Sequence, residues 1–404
     1  MKIALVSPYD FSYPGGVTEH LTALAAGLRQ RGHDVRILAA YSGYHDQQIS
    51  GVNIVTRHVT TYPIAGTVAR VGISPLSYFR IKKILGANAF DIIHLQEPLT
   101  PSITWLVLLI ARMLPQTVTI GTFHAYHERP NWLYAHGRLV FSQLFKLLDN
   151  RIVVSEAART FAEQMFPGAY TLIPNGVDLK RFGKRRQPPR ANVDGWLNIL
   201  FVGRLDERKG FRWLLESFIA LKPDYPKLSL TVVGPYDHKI SAPYQKLVEA
   251  SDVTDIDFVG YVSPERLPDF YHRADIFCAP SIGFESFGII LLEAMAAGLP
   301  IIATDIAGYR SVMTHNQEGF LIPPRQSRTL TQKLRQLIDD ADLRYRLGQC
   351  GQLTARSYSW DNIIDQIVDL YRQTIECKQA AQRVFFRDLK SGRYRRSAKQ
   401  PYPK

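Results

Sequence analysis

The chain has 404 residues, 46% of them hydrophobic, which is too long for one ordinary α/β domain, so we expect two domains with separate cores. The formal net charge is +13, and residues 378–404 contribute +8 of it through nine Lys or Arg and one Asp. Because the excess charge lies mostly in this tail, and no helix-turn-helix, zinc-finger or RNA-binding motif accompanies it, we exclude a nucleic-acid partner and expect an anionic surface instead.

The cysteines and the apolar runs narrow the class of protein further. Cys278, Cys350 and Cys377 are far apart with no Cys-x-x-Cys pair, which argues against a zinc site or disulfide framework and fits a reducing cytoplasm. The N-terminal apolar run turns polar at Ser7, before it reaches the length of a signal peptide. The run over 103–110 falls short of the roughly 20 residues that span a bilayer, so we expect no transmembrane helix.

Short apolar runs alternate with amphipathic helical stretches twice along the chain, the pattern of doubly wound parallel sheets in an α/β fold. The predicted strands begin near Ile3, Val35, Asn53, Asp91, Val118 and Arg151, and then near Asn198, Ser229, Asp257, Asp275, Pro300 and Phe320. The predicted parts are a first domain over 1–180, an Arg-, Lys- and Pro-rich linker over 181–195, a second domain over 196–360, a last helix over 361–377 and a basic, disordered tail over 378–404.

Two motifs of the first domain follow predicted strands. Gly15-Gly16 stands at the entry to a helix and, taken alone, fits a glycine turn as well as a phosphate loop, because the Gly-x-Gly-x-x-Gly spacing is absent. His124 follows the fifth strand, so we expect it to project into an interdomain cleft. There a neutral imidazole can donate one hydrogen bond and accept another. A structural histidine is the alternative.

Two charged segments belong to the second domain. Arg204 and Lys209 lie in Gly-Arg-Leu-Asp-Glu-Arg-Lys-Gly after its first strand, and this segment by itself fits a solvated run of charges. Asp255-Ile256-Asp257 matches the Asp-x-Asp pattern of some metal sites. We reject a metal site there because the segment enters a predicted strand and further ligands cannot be placed.

The stretch 277–309 holds the most chemistry per residue. Between two predicted strands, the loop 283–288 lets the backbone approach a ligand, and the helix after it offers free N–H groups to a phosphate or sugar oxygen. Glu285 and Glu293 can both face this cleft, and carboxylates bind hydroxyl pairs well. Solvated glutamates are the alternative. Glycoside hydrolysis is disfavoured because both carboxylates lie in one motif, with no second pair to flank a sugar.

Glu-x7-Glu around Phe-Gly-Ile, followed by Glu-Ala-Met-Ala-Ala-Gly-Leu-Pro-Ile-Ile-Ala-Thr-Asp, resembles the donor-site signature of retaining glycosyltransferases of family 4. The segments Gly-Arg-x-x-x-x-Lys-Gly, Gly-Gly-x-x-x-His and Arg-Gly-His-Asp-Val are similar to that family as well. The resemblance implies the GT-B fold, two Rossmann-like domains around a cleft. It also implies an enzyme that transfers a hexose from a nucleotide-diphosphate sugar with neither metal nor other cofactor.

The resemblance assigns roles to individual residues. Glu285 would contact the donor sugar and Glu293 the ribose, while Arg204 and Lys209 would neutralise the diphosphate. The implied catalytic residues are His124, Arg204, Lys209 and Glu285. The implied donor-binding residues are Gly15, Gly16, Arg204, Lys209, Glu285, Phe287, Gly288, Ile289 and Glu293. The implied acceptor-side residues are Tyr9, Thr18, Arg70 and Arg129.

Within family 4 the chain is similar to the bacterial phosphatidylinositol mannosyltransferases. It departs from them at Leu99, where they have Asn, at Ala125, where they have Thr, and at Arg129, where they have Lys. The segments that carry the similarity are Ser7-Pro8-Tyr9, Tyr13-Pro14-Gly15-Gly16-Val17, Val68-Ala69-Arg70, Lys82-Lys83, Glu97-Pro98 and Thr122-Phe123-His124.

The resemblance thus implies GDP-mannose as donor and an anionic membrane lipid such as phosphatidylinositol as acceptor. The alternatives are a transferase of the same fold that uses a UDP-sugar and a soluble or polysaccharide acceptor, a sugar-nucleotide epimerase, and a non-catalytic sugar-nucleotide-binding scaffold. The amphipathic stretch 73–85 contains Arg80, Lys82 and Lys83, and predicts peripheral binding to the inner, cytoplasmic face of the cell membrane. An ordinary packed helix with a solvated basic face is the alternative there.

Overall fold

Two sheets organise the chain, in agreement with the predicted α/β class. The protein is described by a computed structural model that covers residues 1–13, 15–43, 51–64, 67–126, 138–183, 195–236, 238–251 and 253–390. The predicted linker lies largely outside these residues, since 184–194 are not described.

The first sheet is parallel along its main path. Its strands are β1 (Lys2–Asp10), β2 (Asp34–Ala40), β3 (Val52–Thr56), β6 (Ile92–Gln96), β7 (Val118–Phe123), β8 (Asn150–Val153) and β9 (Thr171–Leu172), in the spatial order β3-β2-β1-β6-β7-β8-β9. An antiparallel hairpin of β4 (Val59–Ile64) and β5 (Thr67–Gly72) pairs with β1 between Tyr9 and Val71. The hairpin was not predicted, because its residues form no continuous apolar run.

Helices cover both faces of the first sheet, since successive side chains of a strand point to opposite sides. Ile3 and Leu5 of β1 share a core with Leu21 of the first helix, whereas Ala4 and Val6 share another with the helices after β5 and β6. The helices of this unit are α1 (Gly16–Gln30), α2 (Ser77–Asn88), α3 (Ile103–Ala111), α4 (Arg138–Phe145), α5 (Glu156–Met165) and α6 (Leu179–Phe182).

The second sheet has six parallel strands in the described chain. They are β10 (Leu197–Val202), β11 (Leu228–Val233), β12 (Ile256–Gly260), β13 (Ile276–Ala279), β14 (Ile301–Thr304) and β15 (Gly319–Ile322), in the order β12-β11-β10-β13-β14-β15. Its helices are α7 (Phe211–Leu221), α8 (His238–Ser251), α9 (Leu267–Arg273), α10 (Ile289–Ala296), α11 (Ala307–Arg310), α12 (Ser327–Asp339) and α13 (Ala341–Ser357). The strand order reverses between β10 and β13, and the carboxyl ends of strands at such a point are where α/β sheets bind ligands.

The last helix, α14 (Trp360–Lys390), returns from the second unit to the first. Its side chains Ile363, Ile364 and Ile367 are buried in one cluster with Leu21 and Leu24 of α1.

Residues 378–390 correct the prediction of a disordered tail from 378 onwards, because they continue α14. The Lys378 ammonium donates to Asp149 Oδ2 and to the Thr117 carbonyl, both at 2.7 Å, and the Gln382 amide donates to the Pro115 carbonyl at 2.7 Å. These long-range contacts hold a segment that has no apolar period, so its sequence alone did not show the helix. Residues 391–404 lie outside the described chain.

Candidate active site

His124 stands just beyond β7, where two neighbouring residues of the adjacent strand hold it. Its Nε2 lies 2.6 Å from Gln96 Oε1, and its backbone N–H donates to Glu97 Oε1 at 2.5 Å. The Ala125 N–H donates to the same carboxylate oxygen at 2.6 Å. The end of β6 therefore fixes both the ring and the backbone of His124.

Glu97 is built into an unusual position for a carboxylate. Its φ of 45° places it in the left-handed region, and its side chain is buried. Burial raises the pKa of Glu97 to about 7, while the hydrogen bonds from the His124 and Ala125 amides oppose that rise. Sequence analysis assigned Glu97 no role, although polar residues at a strand's carboxyl end are a signal for one.

His20, the histidine of the Gly-Gly-x-x-x-His segment, packs directly against His124. The two rings meet edge to face with 4.9 Å between centroids, and Trp360 at the start of α14 lies 5.1 Å from His20 on an edge. Burial lowers the pKa of His20 to about 4, opposed by the Asn175 side chain. Burial, followed by the His20 and His94 charges, also holds the pKa of His124 well below its usual value, so His124 is neutral at pH 7.

Glu285 forms the charged centre of the second unit. Its Oε1 accepts from Lys209 Nζ at 2.6 Å and from Arg208 Nη1 at 3.1 Å. Arg208 had been given no role, and Arg204 does not join this cluster: its Nε lies 3.5 Å from Asp206 Oδ2 and its side chain is 39% exposed. Of the two predicted cations, Lys209 contacts Glu285 and Arg204 does not.

The loop before α10 is shaped by two glycines. Gly288 has φ of 113° and caps the helix, and a Cβ there would lie 2.8 Å from Tyr309 Cδ1. A Cβ at Gly308 would lie 2.1 Å from the Glu285 carbonyl oxygen, so only glycine allows this approach. Phe287 is buried behind the loop and meets the Tyr358 ring at 6.0 Å.

The two glycine loops approach each other across the domain boundary. Gly15 caps α1 in an extended conformation, and a Cβ at Gly16 would lie 3.9 Å from Ile289 Cδ1. Ser155, the cap of α5, also donates from its hydroxyl to the Ser286 carbonyl. Predicted donor-binding residues from both units therefore meet at the amino ends of α1 and α10.

Glu293 is buried inside α10 and its Oε2 accepts from the Tyr271 hydroxyl at 2.7 Å. Burial raises the pKa of Glu293 to about 8, the Glu19 carboxylate adds to the rise, and the Tyr271 hydrogen bond and Arg181 oppose it. Glu19 belongs to α1 of the first unit, which approaches α10 between Gly16 and Ile289, so the two helices face each other across the cleft. Sequence analysis predicted neither Tyr271 nor Glu19.

The predicted acceptor-side residues lie around the end of β1. Arg70 on the hairpin donates from Nε to Asp10 Oδ2 at 3.3 Å, and its guanidinium lies 5.3 Å from the centre of the Tyr13 ring. Tyr9 pairs with Val71 of the same hairpin. Thr18 lies in the first turn of α1, where its carbonyl accepts from the Thr22 hydroxyl at 2.8 Å. Arg129 lies outside the described residues.

The described residues contain neither a cluster of metal ligands nor a helix that could cross a membrane. No group of three or more His, Cys, Asp or Glu residues there is arranged to hold a metal ion. Asp255 of the rejected Asp-x-Asp segment pairs with Lys222 Nζ at 2.7 Å. Among the described helices, none combines the length and the apolar character that crossing a membrane requires.

Known proteins resemble this chain over nearly its whole length. The family described as "Glycosyltransferase Family 4" matches residues 14–181, and that described as "Glycosyl transferases group 1" matches residues 185–354. The phosphatidyl-myo-inositol mannosyltransferase of Mycobacterium tuberculosis H37Rv is 32% identical over 383 residues, which cover 92% of this chain and 96% of that protein. Its counterpart from Mycolicibacterium smegmatis is 31% identical over 380 residues, covering 92% and 93%.

Solved structures share the architecture at lower sequence identity. The sucrose-phosphate synthase from Thermosynechococcus elongatus superposes with a TM-score of 0.73 at 22% identity, over 93% of this chain and 99% of that one. The Anabaena protein HepE in complex with UDP has a TM-score of 0.74 at 18% identity, over 92% and 100%.

Proposed function

Because the chain belongs to glycosyltransferase family 4, we propose that it transfers mannose from GDP-mannose to phosphatidylinositol, with retention of anomeric configuration and without a metal ion. The GT-B fold expected for this family is confirmed by the two parallel sheets and by the solved structures that share them. The observation that carries the choice of sugar and acceptor is the similarity to the mycobacterial phosphatidyl-myo-inositol mannosyltransferases, which extends over 92% of this chain.

The donor site follows from charges and free backbone groups in the cleft. Lys209, which contacts Glu285 three residues before the Gly288 cap of α10, would supply positive charge together with Arg204, and the free N–H groups of the first turn of α10 would add to it; such a set suits a diphosphate. Lys209 and Arg208 both donate to Glu285 Oε1. Within the described residues no hydrogen bond reaches Oε2, which is therefore free to accept from a sugar hydroxyl.

Glu293 would hold the ribose in the same arrangement. Its Oε2 is occupied by the Tyr271 hydroxyl, so Oε1 remains for a ribose hydroxyl. A buried carboxyl with a fixed orientation loses little conformational entropy when it binds, which favours a specific contact.

The transfer step uses the leaving group as the base. The bond between the anomeric carbon and the diphosphate oxygen breaks, the acceptor oxygen attacks from the same face, and the acceptor proton passes to the leaving diphosphate. The positive charges of Arg204 and Lys209 stabilise the negative charge that develops there. His124, neutral and held by Gln96 and Glu97, would contact the sugar beside this bond.

The experiment is a transfer assay with the purified protein. GDP-mannose and phosphatidylinositol vesicles should give a mannosylated lipid whose anomeric linkage, read by NMR coupling constants, matches that of the donor. Activity should persist in EDTA and disappear in Glu285→Ala. Transfer from UDP-glucose to a soluble acceptor, or an altered sugar nucleotide without any acceptor, would replace this function by one of its alternatives. Donor binding without any turnover would favour a scaffold.

We also propose that α2 binds the anionic inner face of the membrane, where a lipid acceptor would lie. Leu76 and Phe79 are 76% and 71% exposed, which is unusual for large apolar side chains. Arg80, Lys82 and Lys83 are exposed beside them. An apolar edge flanked by cations suits an interfacial helix on anionic lipid.

A further inference from the structure

A row of buried polar side chains lies on one face of the first sheet and ends at the active-site histidine. His94 and Gln96 are two residues apart on β6, and Thr122 and His124 are two residues apart at the end of β7, so each pair points to one face. The strand register places Gln96 beside Thr122. His94, Gln96 and Thr122 are fully or almost fully buried.

Hydrogen-bond distances connect this row from the last helix to His124. Tyr371 Oη of α14 lies 2.6 Å from His94 Nδ1. His94 Nε2 lies 2.6 Å from Thr122 Oγ1 and 3.4 Å from Gln96 Nε2, and Gln96 Oε1 lies 2.6 Å from His124 Nε2. Because every member is hydrogen-bonded, and all of them except the partly exposed His124 are buried, each one restricts the orientation of the next.

The orientation of the Gln96 amide determines which atom donates and which accepts in each hydrogen bond of the row. An amide oxygen only accepts, so His124 must carry its hydrogen on Nε2; an amide nitrogen only donates, so His94 Nε2 must be the lone-pair nitrogen. His94 then carries its hydrogen on Nδ1 and donates it to the Tyr371 hydroxyl oxygen. Burial lowers the pKa of His94 to about 3 and holds that of His124 well below its usual value, so each ring has a single N–H at pH 7.

We propose that Gln96 is a positioning residue that keeps the His124 ring in the tautomer protonated on Nε2, and that His94 and Tyr371 keep the Gln96 amide in that orientation. His124 Nδ1 then offers a lone pair. Within the described residues no protein group hydrogen-bonds to this nitrogen, so it can accept a hydrogen bond from a hydroxyl of the donor sugar. Only this last assignment of a partner rests on the proposed glycosyltransferase function.

The row can also be drawn with every donor and acceptor reversed, and His124 would then present an N–H group at Nδ1 in place of a lone pair. If Tyr371 donated to His94 Nδ1, the Gln96 amide would turn over and His124 would carry its hydrogen on Nδ1. The ring would then present a donor, which suits a phosphate oxygen rather than a hydroxyl hydrogen. The two arrangements exclude each other, because reversing a single bond makes two donors or two acceptors face one another.

The tautomer can be measured directly on the full-length protein. Two-bond ¹H–¹⁵N correlation spectra of ¹⁵N-histidine-labelled enzyme distinguish protonated from unprotonated ring nitrogens, and His124→Asn identifies the His124 signals. Wild type should show the hydrogen of His124 on Nε2. Gln96→Glu should show the same, because its carboxylate still accepts from that nitrogen. Gln96→Met, which keeps the length but replaces the amide by a thioether that accepts only weakly, and Tyr371→Phe should each show an exchange-averaged mixture of the two His124 tautomers. A hydrogen on Nδ1 in wild type, or an unchanged His124 signal in Gln96→Met, would overturn the proposal.

Kinetics separate a positioning role from a merely structural one. Gln96→Met should lower kcat about tenfold, since one buried hydrogen bond is lost, while its melting temperature stays close to wild type. Gln96→Glu places a negative charge beside His124 and raises the His124 pKa, so the acidic limb of the kcat profile should move to higher pH. If the acidic limb of the kcat profile lies at the same pH in Gln96→Glu as in wild type, Gln96 does not position His124. If the wild-type protein transfers no sugar, the proposed function fails, and the tautomer spectra still decide the role of Gln96.

Discussion

At the scale of single residues, the candidate site keeps most of its titratable groups uncharged and concentrates charge in one place. Burial raises the pKa values of Glu97 and Glu293 to about 7 and about 8, and lowers that of His20 to about 4. Glu285 differs, because Lys209 and Arg208 both contact it. Strong electrostatic contacts with an incoming donor are therefore expected at the Glu285 cluster and not at the buried groups.

The first prediction concerns Lys209. Lys209→Met removes the ammonium that lies 2.6 Å from Glu285 Oε1 and that would also meet the diphosphate. The affinity for GDP should fall by about 10- to 100-fold, because one charge-assisted hydrogen bond contributes about 1.5–3 kcal/mol. Isothermal titration calorimetry measures this. Lys222→Met is the matched control, since Lys222 pairs with Asp255 instead, and equal affinities for GDP in Lys209→Met and wild type would contradict the assignment.

The second prediction concerns pH and Glu293. The pKa of Glu293 is raised from 4.5 to about 8 in the folded protein, so between these values the native state retains a proton that the unfolded chain has lost. The free energy of unfolding should therefore decrease as pH rises through this interval, by up to about 1.4 kcal/mol per unit from this group.

Glu293→Gln tests this sign, because the amide still accepts from Tyr271 but cannot ionise. The variant should lose less stability than wild type between pH 5 and pH 8, as measured by urea unfolding at each pH. Glu97 titrates in the same direction in both proteins and cancels in the comparison. Stability curves that run parallel would show that folding does not raise the pKa of Glu293.

At the scale of elements, α2 has one face that packs in the core and one that is exposed to solvent. Ser77, Ile81 and Leu85 are buried against the sheet, at the spacing of a packed helix. The opposite side carries exposed Leu76 and Phe79 together with cations. The buried side explains why the helix forms, whereas the exposed side has no task within the described fold.

The third prediction is that this exposed side binds anionic vesicles. Lys82→Glu combined with Lys83→Glu should weaken flotation with phosphatidylinositol vesicles by at least about tenfold, since each cation near an anionic leaflet contributes about 1 kcal/mol. Binding should also weaken as salt is raised. Arg328→Glu with Arg346→Glu, on exposed positions of α12 and α13, is the control of equal charge change. Equal flotation with neutral and anionic vesicles would contradict an electrostatic anchor.

The contribution of the basic tail to vesicle binding should be tested by deleting 391–404 and not the whole predicted tail over 378–404, because 378–390 continue α14. Removing all of 378–404 would also remove the helical turns that bind Asp149 and Pro115. Deletion of 391–404 leaves those contacts in place, and therefore tests the contribution of the basic tail to vesicle binding alone.

At the scale of the whole molecule, α14 joins the two units. Its start pairs with the first unit, where the Val177 N–H donates to the Tyr358 carbonyl at 2.8 Å, and Trp360 packs on His20 at the site. Farther along, Ile364 lies directly over Gly27 of α1, where an added Cβ would be 1.9 Å from its Cδ1. The first unit therefore completes its core with a helix that follows the second unit in sequence.

The fourth prediction uses this contact. Alanine in place of glycine within a helix normally stabilises by about 0.5–1 kcal/mol, but Gly27→Ala should destabilise by about 1–3 kcal/mol because Ile364 is buried and must change its rotamer. Gly86→Ala in α2 is the control: nothing lies within 4 Å of its added Cβ, so it should stabilise. Urea unfolding measures both.

A double variant checks the cause. Gly27→Ala should cost less in an Ile364→Ala background, where space is available, and the coupling between the two sites should be measurable. If both glycine variants stabilise equally, α14 does not press on α1 as described.

The amino-acid sequence by itself determined most of the helices and strands, and where the main site residues stand along them. Apolar runs and helical periods depend on neighbouring residues, so the six strands of the second sheet, six strands of the first sheet and the helix after Gly288 were predictable, whereas the two-residue strand β9 was not. The Glu285 to Glu293 spacing identified the family. The hairpin at 59–72 and the helical segment 378–390 were not predicted, because long-range pairing with β1 and contacts with Thr117 and Asp149 stabilise them.

Only the tertiary structure decided which side chains meet. Gln96 and His124 are separated by 28 positions in the chain, and Tyr371 and His94 by 277, yet hydrogen bonds join each pair. A hydrogen bond also joins Arg208 to Glu285, and the Glu19 carboxylate of the first unit raises the pKa of Glu293 in the second. Strand register and the return of α14 create these contacts, and neither is encoded in any local pattern. The pKa shifts follow for the same reason, since burial is a property of the folded molecule and not of the residue type.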